Sequence, residues 1–128
     1  MTTKSLATLI GVVFIAVGIL GFIDNPIVGE SEKAIFHADK LHNIVHIASG
    51  VLFVLFAMAS ASAARSFMIL FGIVYLALGV IGLINIGTEG MGKLLGILHV
   101  NGADNLLHAG LGILILLAAA VSRRTVTV

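Results

Sequence analysis

At 128 residues the chain has room for one domain, and 59% of it is hydrophobic against 10% charged, with a mean hydropathy of +1.19. A soluble domain of this size cannot hide so much apolar surface, so lipid must solvate it. The absence of cysteine excludes disulfides, thiolate metal sites and thiol nucleophiles, and a net charge of +1 without any basic run argues against nucleic-acid partners.

The first apolar run covers residues 5–23. It follows Lys4 as a signal peptide would, but it continues into "GFIDNP" with no small-x-small cleavage site and is read as a retained helix. The stretch "NPIVGESEKAIFHAD" then opens with a turn at Asn25-Pro26, and "SEKAIFHADKLH" is compatible with a helix N-capped by Ser31. The second run spans 41–61, a middle loop carries Arg65, and the third run spans 67–86. Another long loop, "GTEGMGKLLGILHVNGAD", holds a short apolar segment at 94–100 and leads into the fourth run, 105–121. Both long loops are expected to lie along the membrane surface. Each run has roughly the 17–25 residues a helix needs to cross the hydrocarbon core. The sequence therefore predicts an all-α membrane protein: one domain, residues 1–128, of four transmembrane helices.

Basic residues orient such a protein. Lys4, Arg65, Arg123 and Arg124 fall at the two termini and the middle loop, with no acid among them. Lys33, Lys40 and Lys93 share the other face with Asp24, Glu30, Glu32, Asp39, Glu89 and Asp104. Both termini are therefore expected to be cytoplasmic, with the two long loops outside.

The halves, about 5–61 and 66–121, repeat one another. "GVVFIAVGILGFI" aligns without gaps on "GIVYLALGVIGLI", matching Gly11 with Gly72, Ala16 with Ala77, Gly18 with Gly79 and Gly21 with Gly82. One residue of slippage later, His37 matches His99, Asn43 matches Asn105, His46 matches His108, Gly50 matches Gly112 and Ala57 matches Ala119. Two spans per half make this a parallel 2+2 repeat, related by a pseudo-twofold axis along the membrane normal. Lipid supplies no hydrophobic force between helices, so Gly11, Gly18, Gly50, Gly72, Gly79 and Gly112 are expected where helices pack closely. Asn43, His46, Gly50 and Ala57 form one stripe, at spacings of three, four and seven, which should face the interior with its twin.

"AIFHADKLHNIVHIASG" and "GILHVNGADNLLHAGLG" resemble the two signature segments of a bacterial family of small four-span membrane proteins, catalogued as a domain of unknown function (forty-three eighty-three). The resemblance covers nearly the whole chain and rests on Asn-x-x-His-x-x-x-Gly in both halves. His42 before Asn43 and Asp104 before Asn105 resemble family features as well. It implies four helices in a bacterial inner membrane, and it brings no established activity, substrate or cofactor with it.

The Asn/His motifs admit several readings. The first is structural, with no cofactor. A neutral imidazole and an amide each carry a donor and an acceptor. His46 bonded to Asn105, with His108 bonded to Asn43, would clamp the halves in register. The protein would then be a scaffold or accessory subunit, with lipid around it and another membrane protein or a second copy as partner. In the second reading, His42 and His46 present two nitrogens from one helix face and join Asp104 and His108 as ligands of a transition metal. The third is a haem held by His46 and His108, with Gly50 and Gly112 clearing space below. Transport is disfavoured because no ionisable group lies in the inner half of any span. Ser49, Ser60 and Ser62 form no hydrolase motif, so no catalytic residue is assigned and the chain is not read as an enzyme. His37 and His99 are expected to be interfacial surface residues, and Tyr75 a core or lipid-facing one.

Overall fold

A computed structural model describes residues 1–124. Four helices dominate: α1 (Thr3–Leu20), α2 (Lys40–Ala59), α3 (Ala61–Asn85) and α4 (Gly102–Val121). At 18, 20, 25 and 20 residues, all four are long and apolar enough to span a membrane. Apolar side chains cover much of the surface, with Leu70, Leu114 and Leu117 more than half exposed, as lipid-facing helices require.

The helices pair as two hairpins, α1 with α2 and α3 with α4, and glycine makes each pairing possible. A Cβ added at Gly11 would come within 2.7 Å of the Gly50 carbonyl oxygen, and one at Gly112 would meet the Gly72 carbonyl at the same distance. One turn or two along, a Cβ at Gly18 would strike the backbone at Asn43 and Ile47, and one at Gly79 the backbone of Ala109. The six glycines singled out by the sequence are therefore all points of backbone approach within a hairpin. The hairpins meet over an aromatic and alanine core: Phe53 and Met68 are fully buried, Phe53 lies 4.8 Å from Phe67, and Phe14 lies 5.2 Å from Tyr75. Tyr75 is thus a core residue, 3% exposed.

The two ends of the bundle differ. At the corner end, the expected middle loop shrinks to Ser60, which caps α2 and, through Oγ accepting from Ala63 N at 3.0 Å, also starts α3. Helix α3 therefore begins six residues before the expected start at Phe67, and Arg65 lies inside it. Its guanidinium donates to the Ala120 and Ser122 carbonyls at the end of α4, the favourable place for a cation. The two ends of the described chain meet there too. Thr3 N donates to the Arg123 carbonyl at 2.7 Å, and the Thr3 and Ser122 hydroxyls bond at 2.9 Å.

The loop end adds short strands to the four helices, one pair in each long connection. β1 (Val28–Gly29) and β2 (Phe36–His37) pair in parallel, and β3 (Met91–Leu94) and β4 (Leu98–Asn101) form an antiparallel hairpin. The helix expected from Ser31 does not form. Asn25 holds the chain instead: its amide nitrogen donates to the Leu20, Ile23 and Val28 carbonyls, and its oxygen accepts from Ile27 and Val28. Side-chain bonds of this kind compete with helix. The cap of α2 is Asp39, whose carboxylate accepts from His42 N at 2.9 Å. The apolar segment at 94–100 forms the end of the β3–β4 hairpin. It turns at Leu95 and Gly96, whose positive φ of 54° and 72° suits a tight hairpin, and it buries Leu94 and Val100.

If glycine contacts hold each hairpin, Gly18→Leu and Gly79→Leu should each lower stability by about 1–3 kcal/mol or more. Val13→Leu, at a position 51% exposed, should be nearly neutral in the same detergent unfolding assay.

Candidate histidine centre

The loop end positions all five histidines in one column. His42 and His46 sit a turn apart near the start of α2, and their ring centroids are 4.5 Å apart. His108, on α4, places its ring 5.5 Å from His42 and 6.3 Å from His46. One ring nitrogen from each of the three lies within 4.8 Å of the others, and all three residues are buried. Below them Phe14 meets His46 edge-on at 5.8 Å, and Tyr75 meets His108 at 5.6 Å. Above them His37 Nε2 and His99 Nδ1 are hydrogen-bonded at 2.6 Å.

The hydrogen bonds leave an incomplete account of this cluster. His42 Nδ1 lies 2.9 Å from the His99 carbonyl oxygen, which can only accept. The His42 proton is therefore on Nδ1, and Nε2 of the neutral ring keeps a lone pair. His46 Nδ1 and His108 Nδ1 are buried with no partner. Buried polar atoms are rarely left so, and each such atom calls for an explanation.

The crosswise clamp is not what the structure builds. Each Asn serves its own hairpin: a Cβ at Gly21 would fall on Asn43 Oδ1, and one at Gly82 on Asn105 Oδ1. Asn105 Nδ2 donates to the Gly87 carbonyl at 3.0 Å, closing the end of α3, and neither Asn bonds a histidine. The histidines, not the asparagines, bridge the hairpins, because only they are long enough to reach past the glycine contact. Asp104 also leaves the expected ligand set. It is buried, and its carboxylate accepts from Asn101 N at 2.9 Å in the capping box that opens α4. Nor do Gly50 and Gly112 clear room for a macrocycle, since the backbones at Gly11 and Ile15, and at Gly72 and Leu76, occupy that space.

His37 and His99 depart furthest from expectation. His37 is only 8% exposed, and burial, aided by His99 beside it, lowers its pKa below the ordinary value. The signal for their meeting was present in the alignment. His37 and His99 occupy equivalent places when the two halves of the sequence are aligned, as His46 and His108 do.

Three neutral imidazoles without a carboxylate suit a borderline divalent ion such as Zn, Co, Ni or Cu(II) better than Ca or Mg. A ligand histidine usually donates its second ring N–H to a carbonyl or carboxylate, as His42 does to His99.

Four apolar spanning helices define a multi-pass membrane protein. Residues 4–121 match the family described as a domain of unknown function, DUF4383, and the chain belongs to that family. No curated protein and no solved structure matches it.

The two asparagines should differ in cost. Asn105→Ala strands the Gly87 carbonyl and should destabilise by about 1–3 kcal/mol. Asn43→Ala, which breaks no such bond, should cost clearly less in the same thermal melt.

Proposed function

We propose that this is a bacterial inner-membrane protein that binds one transition-metal ion through His42, His46 and His108, near the outer face of a duplicated bundle. The observation that carries the reading is the convergence of three buried ring nitrogens within 4.8 Å, two of the three rings having an unpartnered Nδ1. The protein contributes neutral ligands, the orientation of His42 through the His99 carbonyl, and a wall of Phe14 and Tyr75 that keeps lipid and bulk water away. With three protein ligands, a fourth position is left for water or an exogenous group.

The parallel repeat belongs to the same proposal. Three matched pairs meet each other along one line: Phe14 with Tyr75, His46 with His108, and His37 with His99. A twofold axis running along the bundle accounts for all three at once. The contact of Gly11 with Gly50 also recurs as Gly72 with Gly112. The excess of basic residues without acids at the corner end supports an orientation with that end in the cytoplasm. The scaffold reading, in which the histidines only fasten the hairpins for a partner protein, is favoured by that same axial packing. It differs in predicting no response to metal.

Protein stripped with a chelator should gain thermal stability on adding Zn²⁺ or Co²⁺, by about 2.7 kcal/mol at a hundredfold excess over Kd. His46→Ala and His108→Ala should each abolish the gain, and EDTA should reverse it in the unaltered protein. A melt indifferent to metal would leave the scaffold reading standing. For orientation, single cysteines at Ser31 and Thr88 should react with an impermeant thiol reagent on intact cells, and one at Ser62 should not. The reverse labelling would overturn the orientation.

A further inference from the structure

Two of the five histidines lie outside the centre proposed above, yet they are continuous with it. His37 on β2 and His99 on β4 come from different hairpins and share a hydrogen bond of 2.6 Å between ring nitrogens. The loops have other ties, among them Asn101 Nδ2 to the Ile35 carbonyl at 2.9 Å. His37 Nδ1 is buried without a partner in a side chain only 8% exposed. His99 is half-buried, so the column is open to water at this end, and its carbonyl holds His42, the nearest ligand of the inner centre.

We infer that the His37–His99 pair is a second, weaker site for a Zn²⁺-class dication, through which the ion passes between the aqueous phase and the three-histidine centre. The inference rests on the reading of that centre as a metal site. Two facing imidazole nitrogens that share one proton can share one cation instead. Tetrahedral coordination with metal–nitrogen bonds of about 2.0–2.1 Å separates two ligand nitrogens by roughly 3.4 Å. The rings therefore part by less than about 1 Å, and each sits on its own loop. If His99 is the donor, its proton moves from Nδ1 to Nε2, on the side of the ring that water can reach; no electron is transferred and no net proton is released. Water completes the coordination. A site with two protein ligands holds an ion loosely, and one with three holds it longer, which is the order a loading path needs.

The test uses the full chain in lipid nanodiscs, stripped with EDTA and mixed with Co²⁺ while the visible absorption of the bound ion is followed. In the unaltered protein two ions should bind, the weaker first. The His37→Gln/His99→Gln double variant should bind one ion and load it at least tenfold more slowly. Release to EDTA should slow by the same factor, leaving Kd within about twofold, because removing a way station changes the route and not its ends. Should the double variant fail to fold, His37→Gln alone, which retains a hydrogen-bonding side chain, carries the comparison. Unchanged loading, or a weakened Kd with unchanged loading, would overturn the path while His46→Ala, by abolishing binding, still upholds the inner centre. An unaltered protein that binds no Co²⁺ would fail the inner centre itself and the path with it.

Discussion

Everything in this bundle depends on how closely two helix backbones can approach in a solvent that does not push them together. In water a helix pair is driven by apolar burial. In lipid the tails solvate leucine as well as another leucine does, and packing has to supply the attraction. Glycine against glycine, as at Gly11 with Gly50 and at Gly72 with Gly112, brings whole stretches of backbone into contact. Each hairpin is thus fixed before any polar group is considered.

That approach also explains the placement of the polar groups. With α2 drawn onto α1, the face that carries His42 and His46 turns toward the other hairpin. With α4 drawn onto α3, His108 turns the same way. The asparagines lie nearer the glycine seam and are consumed there, against Gly21 and Gly82. Side-chain length and seam position together decide which of two neighbouring polar residues serves its own hairpin and which reaches across.

The spans were legible because length and hydropathy alone define them, and the glycine contacts because lipid leaves so few other ways to pack. The proximity of His42 and His46 followed from helical spacing. What escaped had a different cause in each case. Ser60 hid a one-residue corner, since nothing in "AMASASAARS" distinguishes a loop from two abutting helix ends. The strands at the loop end depend on the Asn25 side chain and on positive φ at Leu95 and Gly96, which hydrophobic periodicity does not register. Asp104 looked like a ligand because its place in the alignment is that of His42, but the local demand of a helix start took its carboxylate. The crosswise clamp failed because an alignment matches residues to their equivalents and says nothing of which neighbour each one contacts.

At the corner end, Ser60 joins α2 to α3 through the chain, while Ser122 and Arg123 meet Thr2 and Thr3 through hydrogen bonds alone. One corner is covalent and the other is not, yet both bring the end of one hairpin to the start of the next. The four helices therefore form a closed ring whose covalent break could sit at either corner. A circular permutant that joins Arg123 to Thr2 through a short linker and opens the chain at Ser60 would traverse the same ring from a different origin. In such a protein the order of the hairpins along the gene would be separable from their arrangement in the membrane.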